Sequence, residues 1–142
     1  MAYEHELTHE ERRELLRIAR ATLREHVRSG RLLPGKPHRE SLLAPAEVIV
    51  TLLVGETLRG RTPASGEEVP LYRAVQDAVA GAASGDPRFE PVSEGELSDL
   101  TIEIAVLGPR SPAPHPEALT VGDAVVEVVT AQVFRDGEPG AP

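Results

Sequence analysis

The chain contains no cysteine, which excludes disulfides, thiolate metal ligands and thiol nucleophiles together. It has no tryptophan and only two Phe and two Tyr, so its core must be built from Val, Leu, Ile and Ala. No run approaches the roughly 20 apolar residues that a membrane helix needs. The start, Met1-Ala2-Tyr3-Glu4, has neither the basic opening nor the apolar stretch of a secretion signal. A cytoplasmic protein with no membrane partner is expected. Lysine is nearly absent as well, since fourteen of the fifteen basic residues are Arg. Together with abundant Ala, Gly and Pro, this reads as the codon bias of a GC-rich bacterium rather than as function.

What is present suits a folded domain. A chain of 142 residues can bury about 70% of its unfolded surface, and a 40% apolar share argues against disorder. The expected division is one domain over residues 1–134 and a loose tail over 135–142. The net charge of −8 is uneven: residues 1–60 hold ten basic and nine acidic residues, residues 61–142 five and fourteen. An acidic second half disfavours polyphosphate partners there.

Thr8-His9-Glu10-Glu11 has the form of a capping box and predicts a helix that stops at Gly30. Leu15, Ile18, Ala19, Thr22 and Leu23 share its apolar side, and the Thr22 hydroxyl is expected to bond back to the preceding turn. Residues 29–46 read as a connection. Val48 to Val54 is a strand, Gly55-Glu56 a two-residue turn, and Thr57 to Arg61 the returning strand. Residues 62–69 read as loop. Pro70 is placed as the first residue of a second helix, closed by Gly85, and Ser93-Glu94-Gly95-Glu96 caps one short turn. Leu100 to Leu107 alternates as a half-buried strand, a loop with Pro109, Pro112, Pro114 and Pro116 follows, and residues 124–134 form a last strand. The fold class is α+β, a mainly antiparallel sheet flanked by helices.

The residues at the joints carry more information than the order of elements. Val50-Thr51-Leu52 followed by Leu58-Arg59-Gly60, the helix from Leu71 to Ala83, Asp86-Pro87-Arg88-Phe89-Glu90-Pro91-Val92, and Ile102-Glu103-Ile104-Ala105-Val106-Leu107 occur in this order. They resemble the AmmeMemoRadiSam system protein A family (the AMMECR-one domain), with its LRGCIG signature and DPRFPPV segment. The resemblance implies an antiparallel sheet flanked by helices and an association with Memo-like or radical SAM proteins. Arg61 stands where the family has Cys and Pro63 where it has Gly, and a closing strand and helix have no counterpart after Phe134.

Several residues invite chemistry. His5-Glu6-Leu7-Thr8-His9 matches the H-E-x-x-H zinc motif, which needs both imidazoles on one helical face. Thr8 is the better helix cap, so His5 is expected outside the helix and the match is read as coincidence. His26 falls on the apolar helix face and is expected to be a satisfied core histidine. Arg13, Arg17, Arg20, Arg24 and Arg28 form a stripe, read as a solvated face with a grip on phosphate or an acidic partner as the alternative. No serine elbow, Walker loop or nucleic-acid module is present.

Arg59, Gly60, Arg61 and Thr62 form the leading candidate site. Gly60 would admit close backbone approach by a ligand. Arg59 and Arg61, two positions apart, would clamp a small anion from one face or meet a protein partner. Asp86, Arg88, Phe89 and Glu103 are possible supporting residues, with Asp86 and Arg88 expected to pair with the signature loop. No cofactor, metal or catalytic residue is expected. The leading function is a non-catalytic binding or accessory module. Its alternatives are a component of a small-molecule-modifying system and a zinc hydrolase acting through His5 and His9.

Overall fold

The computed structural model describes residues 3–33, 37–64, 69–112, 120–121, 124–125 and 127–137. Helix α1 spans His9–Ser29 and is closed at both ends as its sequence requires. The Thr8 hydroxyl accepts from the Glu11 N–H at 3.1 Å, and the Thr8 N–H donates to Glu11 Oε1 at 2.7 Å. A cap of this kind contributes about 1 kcal/mol. Gly30 ends the helix at φ 74°, in the left-handed region open to a residue without Cβ.

The apolar stripe of α1 buries Leu15, Leu16, Ala19, Thr22 and Leu23. Two expectations need correction here. The Thr22 hydroxyl is buried with no hydrogen-bond partner among the described residues, so its methyl packing alone fixes the residue. His26 is only half-buried and sits at the margin of the core, where Nε2 meets Ser84 Oγ at 2.8 Å.

The hairpin consists of β1 (Val48–Val54) and β2 (Thr57–Ala64), with Gly55 at φ 64° in its turn. β2 runs past Arg61, through residues 62–64 that read as loop. Helix α2 (Glu40–Leu43) interrupts the stretch taken as a plain connection and fully buries Leu42. Helix α3 spans Leu71–Ser84, and Pro70 precedes it as the N-cap rather than as its first residue. A 3₁₀ turn (Glu94–Asp99) leads into β3 (Leu100–Pro112). β4 (Thr120–Val121) and β5 (Ala124–Val125) pair with each other, and β6 (Glu127–Arg135) follows.

The main sheet has the order β2-β1-β3-β6, antiparallel throughout. β3 is longer than expected because Pro109 falls in an irregular step between Leu107 and Arg110, where no regular ladder bond is asked of its missing N–H. Pro114, His115 and Pro116 lie outside the described residues. Val48, Val50, Leu52, Ile102, Ile104 and Val106 line one sheet face and are essentially inaccessible. Helix α3 lies on that face over β1 and β2, with α1 beside it. Arg135 belongs to β6 and the Asp136 N–H donates to the Ile102 carbonyl at 3.0 Å, while residues 138–142 lie outside the described residues.

Contact between α3 and β2 is unusually close. A Cβ at Gly60 would overlap the Ala82 carbonyl oxygen, and a Cβ at Gly81 would overlap the Thr62 methyl. Gly60 therefore admits the backbone of a helix, not that of a ligand. Gly60→Ala is expected to lower unfolding free energy by about 1–3 kcal/mol in urea denaturation. Gly95→Ala, at a glycine with open space around it, should stay within about 0.5 kcal/mol of the wild type.

Candidate functional site

The candidate residues separate into two groups. Pairing of β1 with β2 shifts register between Leu52 and Leu53: Leu53 faces Leu58, whereas Leu52 faces Gly60. Arg59 is the extra residue of this bulge, so Arg59 and Arg61 are not on a common face. The expected two-arginine clamp does not form.

Arg59 belongs to the first group, at the sheet edge. Its Nε donates to Glu96 Oε2 at 2.7 Å and a terminal nitrogen to Glu96 Oε1 at 3.1 Å, a two-pronged pair. Arg59 holds the Glu96 carboxyl down at about 2, helped by the Ser93 N–H. Arg88 makes a similar fork with Asp86, at 3.0 and 2.8 Å. Both guanidinium groups lie over the Phe89 ring, at 5.9 Å for Arg59 and 5.5 Å for Arg88.

Asp86 joins this corner to β2. Its carboxylate is buried, and Oδ2 accepts from the Arg61 backbone N–H at 3.0 Å. Oδ1 accepts from the Arg88 N–H at the same distance. The Arg88 side chain, with these N–H donors, holds the Asp86 carboxyl well below the usual carboxylate range. Asp86 thus reaches the signature strand through the backbone of Arg61, whereas Arg88 pairs with Asp86 itself.

The second group crosses the sheet face opposite the helices. Arg61 pairs with Thr51, Thr51 with Glu103, and Glu103 with Arg135, which gives one row over four strands. The exposed Arg61 donates through Nε to Thr51 Oγ1 at 3.0 Å. Arg135 donates to Glu103 Oε2 at 2.9 Å and to Glu56 Oε1 at 3.2 Å. The neighbouring row, Pro63, Ile49, Ala105 and Val133, is largely apolar. Val133 is 53% exposed.

These positions coincide with a known family. The sequence matches AMMECR1 over residues 16–134. The chain belongs to the AMMECR1 family. It is 36% identical to a protein of Methanothermobacter thermautotrophicus over 82% of this chain and 64% of the relative. It is 33% identical to protein MK0488 of Methanopyrus kandleri over 92% of this chain and 62% of the relative. The crystal structure of protein PH0010 from Pyrococcus horikoshii superposes with a TM-score of 0.65 at 31% identity, over 73% of this chain and 54% of that one. The chain thus spans between about half and two thirds of the length of these relatives. They are archaeal, so the bacterial source inferred from composition gains no support from them.

In this AMMECR1 chain the zinc motif does not assemble. Helix α1 begins at His9, so His5 and His9 share no helical face. His5 Nε2 lies 2.9 Å from Glu11 Oε1, and Ser41 Oγ donates to Glu11 Oε2. Burial raises the Glu11 carboxyl, but hydrogen bonds from Ser41, Thr8 and His5 outweigh it and bring it to about 2. Burial, then the charge of Glu11, pushes the Tyr3 hydroxyl up to about 12. Among the described residues no group of three or more acidic or His side chains could hold a metal, and no helix is long and apolar enough to cross a membrane.

Sequence reasoning passed over Thr51 and Arg135. Only the bulged register puts Thr51 beside Arg61. Glu96 entered as a capping residue, and its second role as the Arg59 partner had no local signal.

The Glu96 pairing has a pH signature. The carboxyl is lowered from 4.5 to about 2 in the folded chain, so its stabilisation is complete above the unfolded value and lost as pH falls toward the folded one. Glu96→Gln should unfold more easily than wild type at pH 7. Denaturation across the acid range should show that difference shrinking between about pH 4.5 and 2.

Proposed function

We propose that this chain is a non-catalytic binding module that recognises a protein partner through the open sheet face centred on Arg61. The observation that carries this reading is the pair of rows on that face. A row with charged Arg61, Glu103 and Arg135 around the buried Thr51 runs beside an apolar row with exposed Val133. An apolar strip flanked by charge that can be matched suits a protein interface better than a small anion alone.

The acidic groups near the signature favour binding over acid–base catalysis. Asp86 is engaged by Arg88 and the Arg61 backbone, Glu96 by Arg59, and Glu103 by Arg135. Asp86 and Glu96 are shifted away from neutrality, the wrong direction for a general acid or base poised near pH 7. Memo-like and radical SAM proteins, the partners the family resemblance implies, are the first to test. A role inside a small-molecule-modifying system would follow from such a complex rather than from chemistry in this chain. Zinc hydrolysis through His5 and His9 is dropped from this reading.

Titration calorimetry against a Memo-like and a radical SAM protein from the same genome tests the proposal. Arg61→Glu and Val133→Asp should each weaken binding at least about tenfold, while Arg24→Ala on the far helix leaves it unchanged. Binding that ignores both face variants, or no binding to either protein, would remove this reading.

A further inference from the structure

A second feature lies on the opposite side of the molecule and owes nothing to the signature strand. Arg13 and Arg17 of α1, Arg39 just before α2, and Glu10 line a cavity of about 250 Å³. The three guanidinium groups differ in how they are held. Arg39 is fixed by Glu14, with Nε to Oε1 at 2.6 Å, and lies 3.5 Å from Glu10. Arg13 and Arg17 have no ion pair or hydrogen bond among the described residues, and Arg13 Nε is buried without an acceptor.

Their neighbours make the contrast plain. Arg12 lies over the Phe134 ring at 5.4 Å, although its Nε, like that of Arg13, is buried without an acceptor among the described residues. Arg20, expected to be solvated with the rest of the stripe, pairs with Asp136 at 2.6 Å and donates to the Leu97 and Leu100 carbonyls. A ring or carboxylate partner thus holds Arg12, Arg20 and Arg39, while Arg13 and Arg17 have neither among the described residues. Like charges four residues apart on a helix destabilise it by a few tenths of a kcal/mol. Here they sit one turn apart at the same recess in a chain of net charge −8.

We propose that this cavity binds the phosphate group of a small soluble molecule. A carboxylate satisfies one guanidinium fork, whereas the several non-bridging oxygens of a phosphate can accept from both Arg13 and Arg17, with the paired Arg39 beside them. Glu14 and Glu10 both pair with Arg39, Glu10 at the longer distance of 3.5 Å; Glu10 also lines the cavity, where it opposes an anion and favours a ligand with a hydroxyl or amino donor beside its phosphate. A nucleic-acid backbone is disfavoured by the negative charge of the whole chain.

Titration calorimetry of the full chain with inorganic pyrophosphate, at constant ionic strength, tests this directly. Saturable binding is expected, with acetate showing none. Arg13→Ala and Arg17→Ala should each lower affinity about tenfold; Arg17 is exposed, and its removal should leave the circular dichroism spectrum intact. Arg24→Ala and Arg61→Ala should bind as the wild type does, which separates this site from the sheet face. Absence of saturable pyrophosphate binding, equal affinity in Arg17→Ala and Arg24→Ala, or tighter binding of an oligothymidylate than of pyrophosphate would each overturn the proposal.

Discussion

Helix α3 lies so close to β2 that position 60 has no room for a side chain, and the arrangement of the signature strand depends on this contact. Counted outward from the Gly55-Glu56 turn, an unbroken ladder would set Arg61 opposite Val50, on the face that carries the buried core. Two guanidinium groups would then be driven under α3, at a desolvation cost of several kcal/mol each. The bulge at Arg59 removes that conflict. It turns Gly60 inward against Ala82, leaves Arg59 at the edge beside Glu96, and brings Arg61 out beside Thr51.

Carboxylates then hold this geometry in place. Asp86 occupies the outer edge of β2 by accepting the Arg61 N–H, a donor that would otherwise be free to pair with another strand. Asp136 does similar work at the other end of the molecule, accepting from the Ile102 N–H at 2.8 Å while pairing with Arg20. Glu11 closes the start of α1 and ties it to Ser41. Asp86, Glu96 and Asp136 of the acidic second half each accept from both a backbone N–H and an arginine. At Arg61 the signature strand carries a cation on the sheet face opposite the helices.

Most of the architecture was legible because local rules and packing agree. Two capping boxes, the glycine at the hairpin turn and the period of the apolar residues placed both long helices and the hairpin. The segment from Asp86 to Val92 stood out because it resembles a family segment, but the bond from Asp86 to the Arg61 backbone had no local signal. The misses share one cause: each depends on what lies across space. The Arg59 bulge answers to a carbonyl in α3, the half-buried position of His26 to Ser84, and the length of β3 to an irregular step opposite β6. Gly60 was correctly seen as a site of close approach, but nothing in the neighbouring residues tells a helix from a ligand.

The central claim is that the acidic side chains around the signature are structural acceptors rather than reactive groups. Carbon-detected NMR titration of the Asp86 and Glu96 carboxyls in the intact chain addresses it most directly. Both should stay ionised down to well below the ordinary carboxylate range, with Glu96 titrating near 2. Either one taking up its proton close to neutral pH would contradict the account and reopen an acid–base role for this site.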